Sequence, residues 1–181
     1  MSFSRMLAMS RRTVLLIDAD LRRPRVTKAL GLSSDRGLVD ILSNEASVED
    51  VIQRDVASGL FVMAAGSHKV ASPPDLLGSN QMRLLLDQLE QTYDLVVIDS
   101  APILVVSDSR SLAHHVDAVA FVTRWAGTRQ EVVQVAIKQL REAGANVAGV
   151  ILNSVNVRRH AKYGYGDSGY YYGAARKYYK D

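Results

Sequence analysis

Cysteine is absent from the 181 residues. This excludes a disulfide framework, thiol catalysis and a cysteine zinc site, and it is compatible with a reducing compartment. No apolar run approaches the roughly 18 residues of a membrane-spanning helix, and the opening MSFSRMLAMSRR lacks the uninterrupted apolar core of a signal peptide. The expected location is therefore cytoplasmic. Four histidines are present, but none has metal-site spacing. His114 and His115 are adjacent and so face different sides of a helix, while His68 falls in a loop and His160 near the C-terminal stretch. There is no internal repeat.

What remains is the composition of a globular protein, with 48% hydrophobic and 23% charged residues. The length suits one domain with a sizeable core. A net charge of +3 is spread unevenly: residues 1–36 hold eight Lys/Arg against three acids, residues 157–181 six against two, and the middle eight against fourteen. Basic ends flanking an acidic body suit phosphate groups, anionic lipid or nucleic acid, or form a plain solvated basic face.

The chain is organised around TVLLIDADLRRP, residues 13–24. Its apolar run Val14 to Ile17 reads as a strand buried on both faces, the kind found in parallel sheets. In an extended chain, residues i and i+2 point to the same side, so Asp18 and Asp20 can face one site at the carboxyl end of the strand. The alternative is two solvated acids pairing with Arg22 and Arg23.

Around this strand the pattern predicts a helix over residues 3–9, a helix opened by Pro24 and closed by Gly31, and short helices over 37–42 and 48–53 with Ser47 as N-cap. A strand is expected over 59–64, then a surface loop punctuated by Gly66, Pro73, Pro74 and Gly78. An amphipathic helix over 80–93 precedes a third strand, YDLVVID. A helix over 108–115, a strand over 117–123, a helix over 128–143 and a strand over 146–153 complete the order. Strands alternating with helices predict an α/β fold with a mainly parallel sheet flanked by helices. Residues 1–160 would form this domain and 161–181 a flexible tail.

Two strand ends carry acids in the same setting, LLID at Asp18 and VVID at Asp99. An acid after an apolar strand has the form of a Walker B site, whose carboxylate holds magnesium beside nucleotide phosphates. Together with DxDxR on one strand and DxxP on the other, the match becomes specific. The sequence resembles the cytoplasmic catalytic domain of bacterial tyrosine kinases, which work with polysaccharide co-polymerases in exopolysaccharide or capsule export. LLIDADLRRP resembles their Walker A′ motif, VVIDSAP their Walker B motif, and the tyrosine-rich end their autophosphorylated cluster. GLVDIL, PPDLLGSNQM and the VSDSR run are similar to further family segments.

The resemblance implies a P-loop NTPase-like fold of the deviant Walker type, with ATP and Mg2+ as cofactors. Asp18 would be the base accepting the tyrosine proton, with Asp20 and Asp99 organising the magnesium ion. Arg22 and Arg23 would stabilise charge on the transferring phosphoryl group, or pair with nearby acids. Asn153 resembles the position that contacts adenine in related ATPases.

One family feature is missing. A Walker A loop reads GxxxxGK[ST], its backbone N–H groups cradling the phosphates and its lysine reaching the β and γ oxygens. No glycine in this chain is followed by lysine, and GSHK at residues 66–69 has the wrong spacing. In the family the P-loop precedes the Walker A′ strand by one helix, within which this chain starts. The expectation is either loss of the first strand and P-loop by truncation or a misplaced start, or a natural protein that has given up ATP chemistry. In both cases the chain would be catalytically impaired.

Seven of the eight tyrosines lie in the last stretch: Tyr163, Tyr165, Tyr170, Tyr171, Tyr172, Tyr178 and Tyr179. They are expected to be phosphoacceptors, each phosphate adding up to about two negative charges to a basic segment. A solubilising tail and a stacking surface for single-stranded nucleic acid are the alternatives, and no nucleic-acid partner is expected because no binding fold surrounds the tail. The partners implied by the resemblance are a membrane co-polymerase activator, fused or separate, a ring of identical subunits held by the tails, and a cognate tyrosine phosphatase. The inner face of the cell membrane is the implied place of work. A partitioning or septum-site ATPase and a non-catalytic scaffold offering its tyrosines to an intact kinase are the competing functions.

Overall fold

The computed structural model describes residues 1–156; the tyrosine cluster lies outside them. Strand β1 (Val14–Asp18) is the centre of the molecule, with all five residues fully enclosed. Its alternating side chains feed two cores. Leu15 and Ile17 join Leu38, Leu42, Met63, Leu77, Met82, Leu85, Leu86 and Leu89 on one face, while Val14 and Leu16 join Val26, Leu60 and Val62 on the other. A strand with apolar groups on both sides requires cover on both sides, and helices supply it.

On the first face lie α3 (Leu38–Leu42), α5 (Pro73–Leu77) and α6 (Asn80–Glu90). On the second lie α1 (Ser2–Met9), through Leu7 and Ala8, and α2 (Val26–Leu30). The predicted apolar stripe of α6 is observed, with Met82, Leu85, Leu86 and Leu89 buried and the Ser79 hydroxyl capping the helix by accepting from Met82 N–H at 3.2 Å. Helix α2 ends at Gly31 in the left-handed conformation (φ 70°), as a glycine stop allows. Arg5 of α1 makes a two-pronged pair with Asp55 at 2.8 and 3.0 Å and pins α1 to the loop that carries Asp55.

Strand order in the main sheet is β2-β3-β1-β4, with β2 (Ile52–Arg54), β3 (Phe61–Met63) and β4 (Leu95–Asp99). β1 runs parallel to both β3 and β4, and β2 is antiparallel to β3. A second, two-stranded parallel sheet joins β5 (Val119–Arg124) to β6 (Val147–Asn153). Helix α8 (Gln130–Glu142) packs Ala136 and Leu140 against Val119, Phe121 and Val147 of that sheet. Between the sheets run α7 (Asp108–Leu112) and a short 3-10 turn, Ala113–His115. The α/β class with mainly parallel strands is as predicted. The strands nevertheless form two sheets, because among the described residues β4 pairs only with β1 and β5 only with β6.

Three local expectations differ. The helix expected over 48–53 is α4, Val48–Val51, and stops where Ile52 turns extended to enter β2. Gln53 then pairs with Val62 and binds the Ser33 backbone through both ends of its side-chain amide, an alternative the helix period could not show. The loop expected at the surface after β3 contains α5, whose Leu77 is fully buried. The helix expected from Pro24 begins at Val26, because the Asp18 carboxylate binds the N–H groups of Arg25 and Val26.

Candidate active site

Both predicted strand-end acids emerge at one place. Asp18 and Asp99 are direct partners in the parallel register of β1 and β4, and the ladder continues one step with Ala19 N–H donating to the Asp99 carbonyl at 2.7 Å. Carboxyl ends of adjacent parallel strands are where open α/β sheets bind ligands.

The three acids differ in accessibility. Asp18 is fully enclosed. Its Oδ2 accepts from Arg25 N–H at 3.0 Å and Val26 N–H at 2.9 Å, and its Oδ1 from Asp20 N–H at 3.3 Å. Burial raises its pKa above the ordinary 3.8, the backbone N–H bonds pull it down, and the Asp99 charge adds to the rise. Asp99 is exposed in outline, yet desolvation by the surrounding strand ends raises it too; the N-terminal ammonium lowers it and Asp20 raises it further. Asp20 is half-buried and its Oδ1 accepts from Arg22 N–H at 3.3 Å and Arg23 N–H at 3.0 Å, folding residues 20–23 into a tight turn.

The two arginines part company. Arg22 donates from Nε and Nη2 to the two oxygens of Asp108 at 2.8 and 3.0 Å. Asp108 is fully buried at the start of α7, and this bond raises the Arg22 pKa above its ordinary value. In the sequence Asp108 stands out only as the start of a predicted helix and as part of the VSDSR run, since nothing in local periodicity says that an acid at position 108 meets an arginine at 22. Arg23 is exposed and its guanidinium has no ion-pair partner among the described residues. Asn153 lies at the end of β6, in the other sheet, where its side chain accepts from Ser154 N–H at 2.8 Å. It makes no hydrogen bond to the three aspartates.

Asp18 and Asp99 end adjacent strands, and Asp20 lies near enough to act on the Asp99 charge; carboxylate oxygens are hard donors of the kind that suits Mg2+. Asp20 and Asp99 offer accessible oxygens, while Asp18 is already committed to backbone N–H groups. A glycine-rich cradle for nucleotide phosphates is not found in the 181 residues.

Sheet order and strand-end acids together define a P-loop NTPase-like protein. The model of the family described as an AAA domain matches residues 1–125. The tyrosine-protein kinase Ptk of Acinetobacter johnsonii is 36% identical over 149 residues, which is 82% of this chain and 20% of that protein. The kinase domain of the Escherichia coli tyrosine kinase ETK superposes with a TM-score of 0.82 at 33% identity, over 85% of this chain and 60% of that one. The kinase domain of VpsO gives a TM-score of 0.77 at 39% identity, over 84% and 77%. The chain belongs to the AAA domain family and, within it, to the bacterial tyrosine kinases. It spans about a fifth of the length of the first curated relatives it matches, at 20% of each.

Proposed function

We propose that this chain carries the acidic half of an ATP-dependent protein-tyrosine kinase site and that its C-terminal tyrosines receive the phosphoryl group. The observation that supports this most is the register of Asp18 with Asp99, which sets two strand-end carboxylates side by side, as a Walker A′ and Walker B pair would require. Asp20 and Asp99 would hold Mg2+, which when bound neutralises charge on the nucleotide phosphates. The oxygen of a substrate tyrosine attacks the γ-phosphorus of ATP, the bond to the β-phosphate oxygen breaks, and ADP leaves. The hydroxyl proton goes to Asp18, whose raised pKa favours its uptake. Because Asp18 is enclosed, residues 19–23 must shift to admit the hydroxyl. Arg23 is the guanidinium free to meet phosphate oxygens; Arg22 is engaged by Asp108 and holds the turn. Asn153 is the proposed adenine contact.

With no phosphate cradle in the 181 residues, the chain alone is expected to bind and turn over ATP poorly. Titration calorimetry with Mg-ATP tests this, and micromolar affinity would contradict it. Co-incubation with a P-loop-bearing tyrosine kinase and Mg-ATP, followed by mass spectrometry, tests the acceptor role. Phosphate is expected on some of the seven tail tyrosines, and its absence would overturn that role.

A membrane co-polymerase of exopolysaccharide or capsule export is the proposed partner, placing the chain at the cytoplasmic face of the membrane. A tail-linked ring of subunits and a tyrosine phosphatase complete the cycle. Among the described residues no helix is long and apolar enough to cross a membrane. The relatives aligning at 33–39% identity are kinases, which favours this reading over a partitioning ATPase.

A further inference from the structure

Apart from the strand-end aspartates, the fold gathers a second set of side chains that bind metals. Asp40 of α3, Glu45 of the turn after it, and His68 of the loop after β3 each place one ligand atom within 4.8 Å of the others. His68 Nδ1 lies 2.8 Å from Asp40 Oδ1 and 3.9 Å from Glu45 Oε2. None of the three is hydrogen-bonded to Asp18, Asp20 or Asp99.

The backbone builds this arrangement. Asp40 is only 2% exposed, and its Oδ2 accepts from Gly37 N–H at 2.8 Å, which fixes the carboxylate plane and leaves Oδ1 turned toward His68. An oriented ligand held by a neighbouring hydrogen bond is the usual second layer of a metal site. The Glu45 amide donates to the Asp40 carbonyl at 2.8 Å, so the origin of its side chain is fixed as well. Gly66 has φ +96°, and a Cβ there would stand 2.6 Å from Asp40 Oδ2. Only a glycine lets the loop carrying His68 pass so close to that carboxylate.

Charge points the same way. Two carboxylates stand together, one of them buried, and among the described residues no lysine or arginine forms an ion pair with either. The buried Asp40 carboxylate is met by the Gly37 N–H and the His68 ring but by no permanently charged side chain, and a buried charge gains from a fixed counter-charge. A metal ion would supply a fixed positive charge there, and the 61% exposure of the His68 and Glu45 side chains leaves a way in.

We propose that Asp40 Oδ1, Glu45 Oε2 and His68 Nδ1 bind a single zinc-class divalent ion, with a fourth position open to water. Zinc bonds of about 2.0–2.2 Å place tetrahedral ligand atoms about 3.3 Å apart. The two distances from His68, 2.8 and 3.9 Å, bracket that value, so side-chain rotations suffice. An imidazole beside two carboxylates favours Zn2+ over Mg2+, which takes oxygen ligands. The ion would clamp α3 to the loop that leads into α5.

The probe is Zn2+ titrated into the full chain in a background of millimolar Mg2+, read by calorimetry and thermal unfolding. One equivalent is expected to bind and to raise Tm. His68→Gln, at an exposed side chain, should fold normally, weaken zinc binding by about tenfold or more and abolish the rise in Tm. Glu45→Gln should weaken it measurably, and Asp99→Asn should leave it unchanged. Absence of saturable binding, or wild-type affinity in His68→Gln or Glu45→Gln, would overturn the site, leaving Asp40 a helix cap only. Loss of binding in Asp99→Asn would also overturn it, by moving the ion to the strand ends.

Discussion

Asp18 and Asp99 stand directly opposite each other at the ends of β1 and β4, and both carboxyls are held above the ordinary 3.8. Two acids in that state at a ligand-binding edge store unfavourable charge that a cation relieves. Asp99→Asn is therefore expected to raise Tm at neutral pH in the absence of divalent ions, and to weaken Mg2+ binding by about tenfold or more. Thermal unfolding with and without Mg2+ checks both. A variant less stable than wild type without Mg2+ would show that the pair is not strained.

The pH dependence has a definite sign. A carboxyl whose pKa is higher in the folded protein binds its proton more tightly there, so its contribution to stability is fully present below the unfolded value and is lost as pH rises through the folded one. For Asp18 and Asp99 that window lies above 3.8. Asp55 behaves oppositely: hydrogen bonds from Arg5 and Ser58 lower its pKa below 3.8, and its contribution is lost as pH falls through that lowered value. Mild acidification from neutrality should therefore raise the urea midpoint, and stronger acid should lower it. Asp99→Asn should flatten the first limb, and Asp55→Asn the second.

Arg22 and Asp108 are 86 residues apart and tie the turn after β1 to α7. Removing one partner leaves the other, a fully buried carboxylate, without compensation. Arg22→Met should lower the urea midpoint more than Arg23→Met, whose guanidinium has no ion-pair partner among the described residues. Asp108→Asn added to Arg22→Met should restore part of the loss. Equal midpoints for the two arginine variants would mean that the pair does not hold the turn.

The strongly patterned parts of this fold were readable in advance. VLLID announced a strand buried on both faces and ending in an acid, LVVID a further strand ending in an acid, Met82 to Leu89 the face of α6, and Gly31 a helix stop. Contacts between distant segments were not readable. Nothing local to Asp108 indicates Arg22, and nothing near His68, dismissed for lack of ligand spacing, indicates Asp40, 28 positions away. Ile52 and Gln53 continue a helical period, yet they turn extended and pair with Met63 and Val62 of β3, a partner that lies outside the local sequence. The separation of β5–β6 from the main sheet is likewise a matter of partners, invisible to periodicity.

The close docking of α3 against the exit of β3 gives the sharpest stability test. Leu38 N–H donates to the Ala64 carbonyl at 2.8 Å and Val39 N–H to the Ala65 carbonyl at 3.0 Å. Gly37 makes this approach possible, because a Cβ there would lie 2.1 Å from the Ala64 oxygen and 2.6 Å from the Gly66 nitrogen, both backbone atoms that cannot swing aside. Its φ of −176° is ordinary extended backbone, so the contact alone decides the outcome. Gly37→Ala must push α3 outward and break these bonds together with the Gly37–Asp40 cap, at an expected cost of about 3 kcal/mol. Gly149→Ala in β6 meets nothing within 4 Å and should change stability by no more than about 0.5 kcal/mol. Urea unfolding of the two variants measures the difference. A Gly37→Ala protein as stable as wild type would mean that α3 does not depend on this approach.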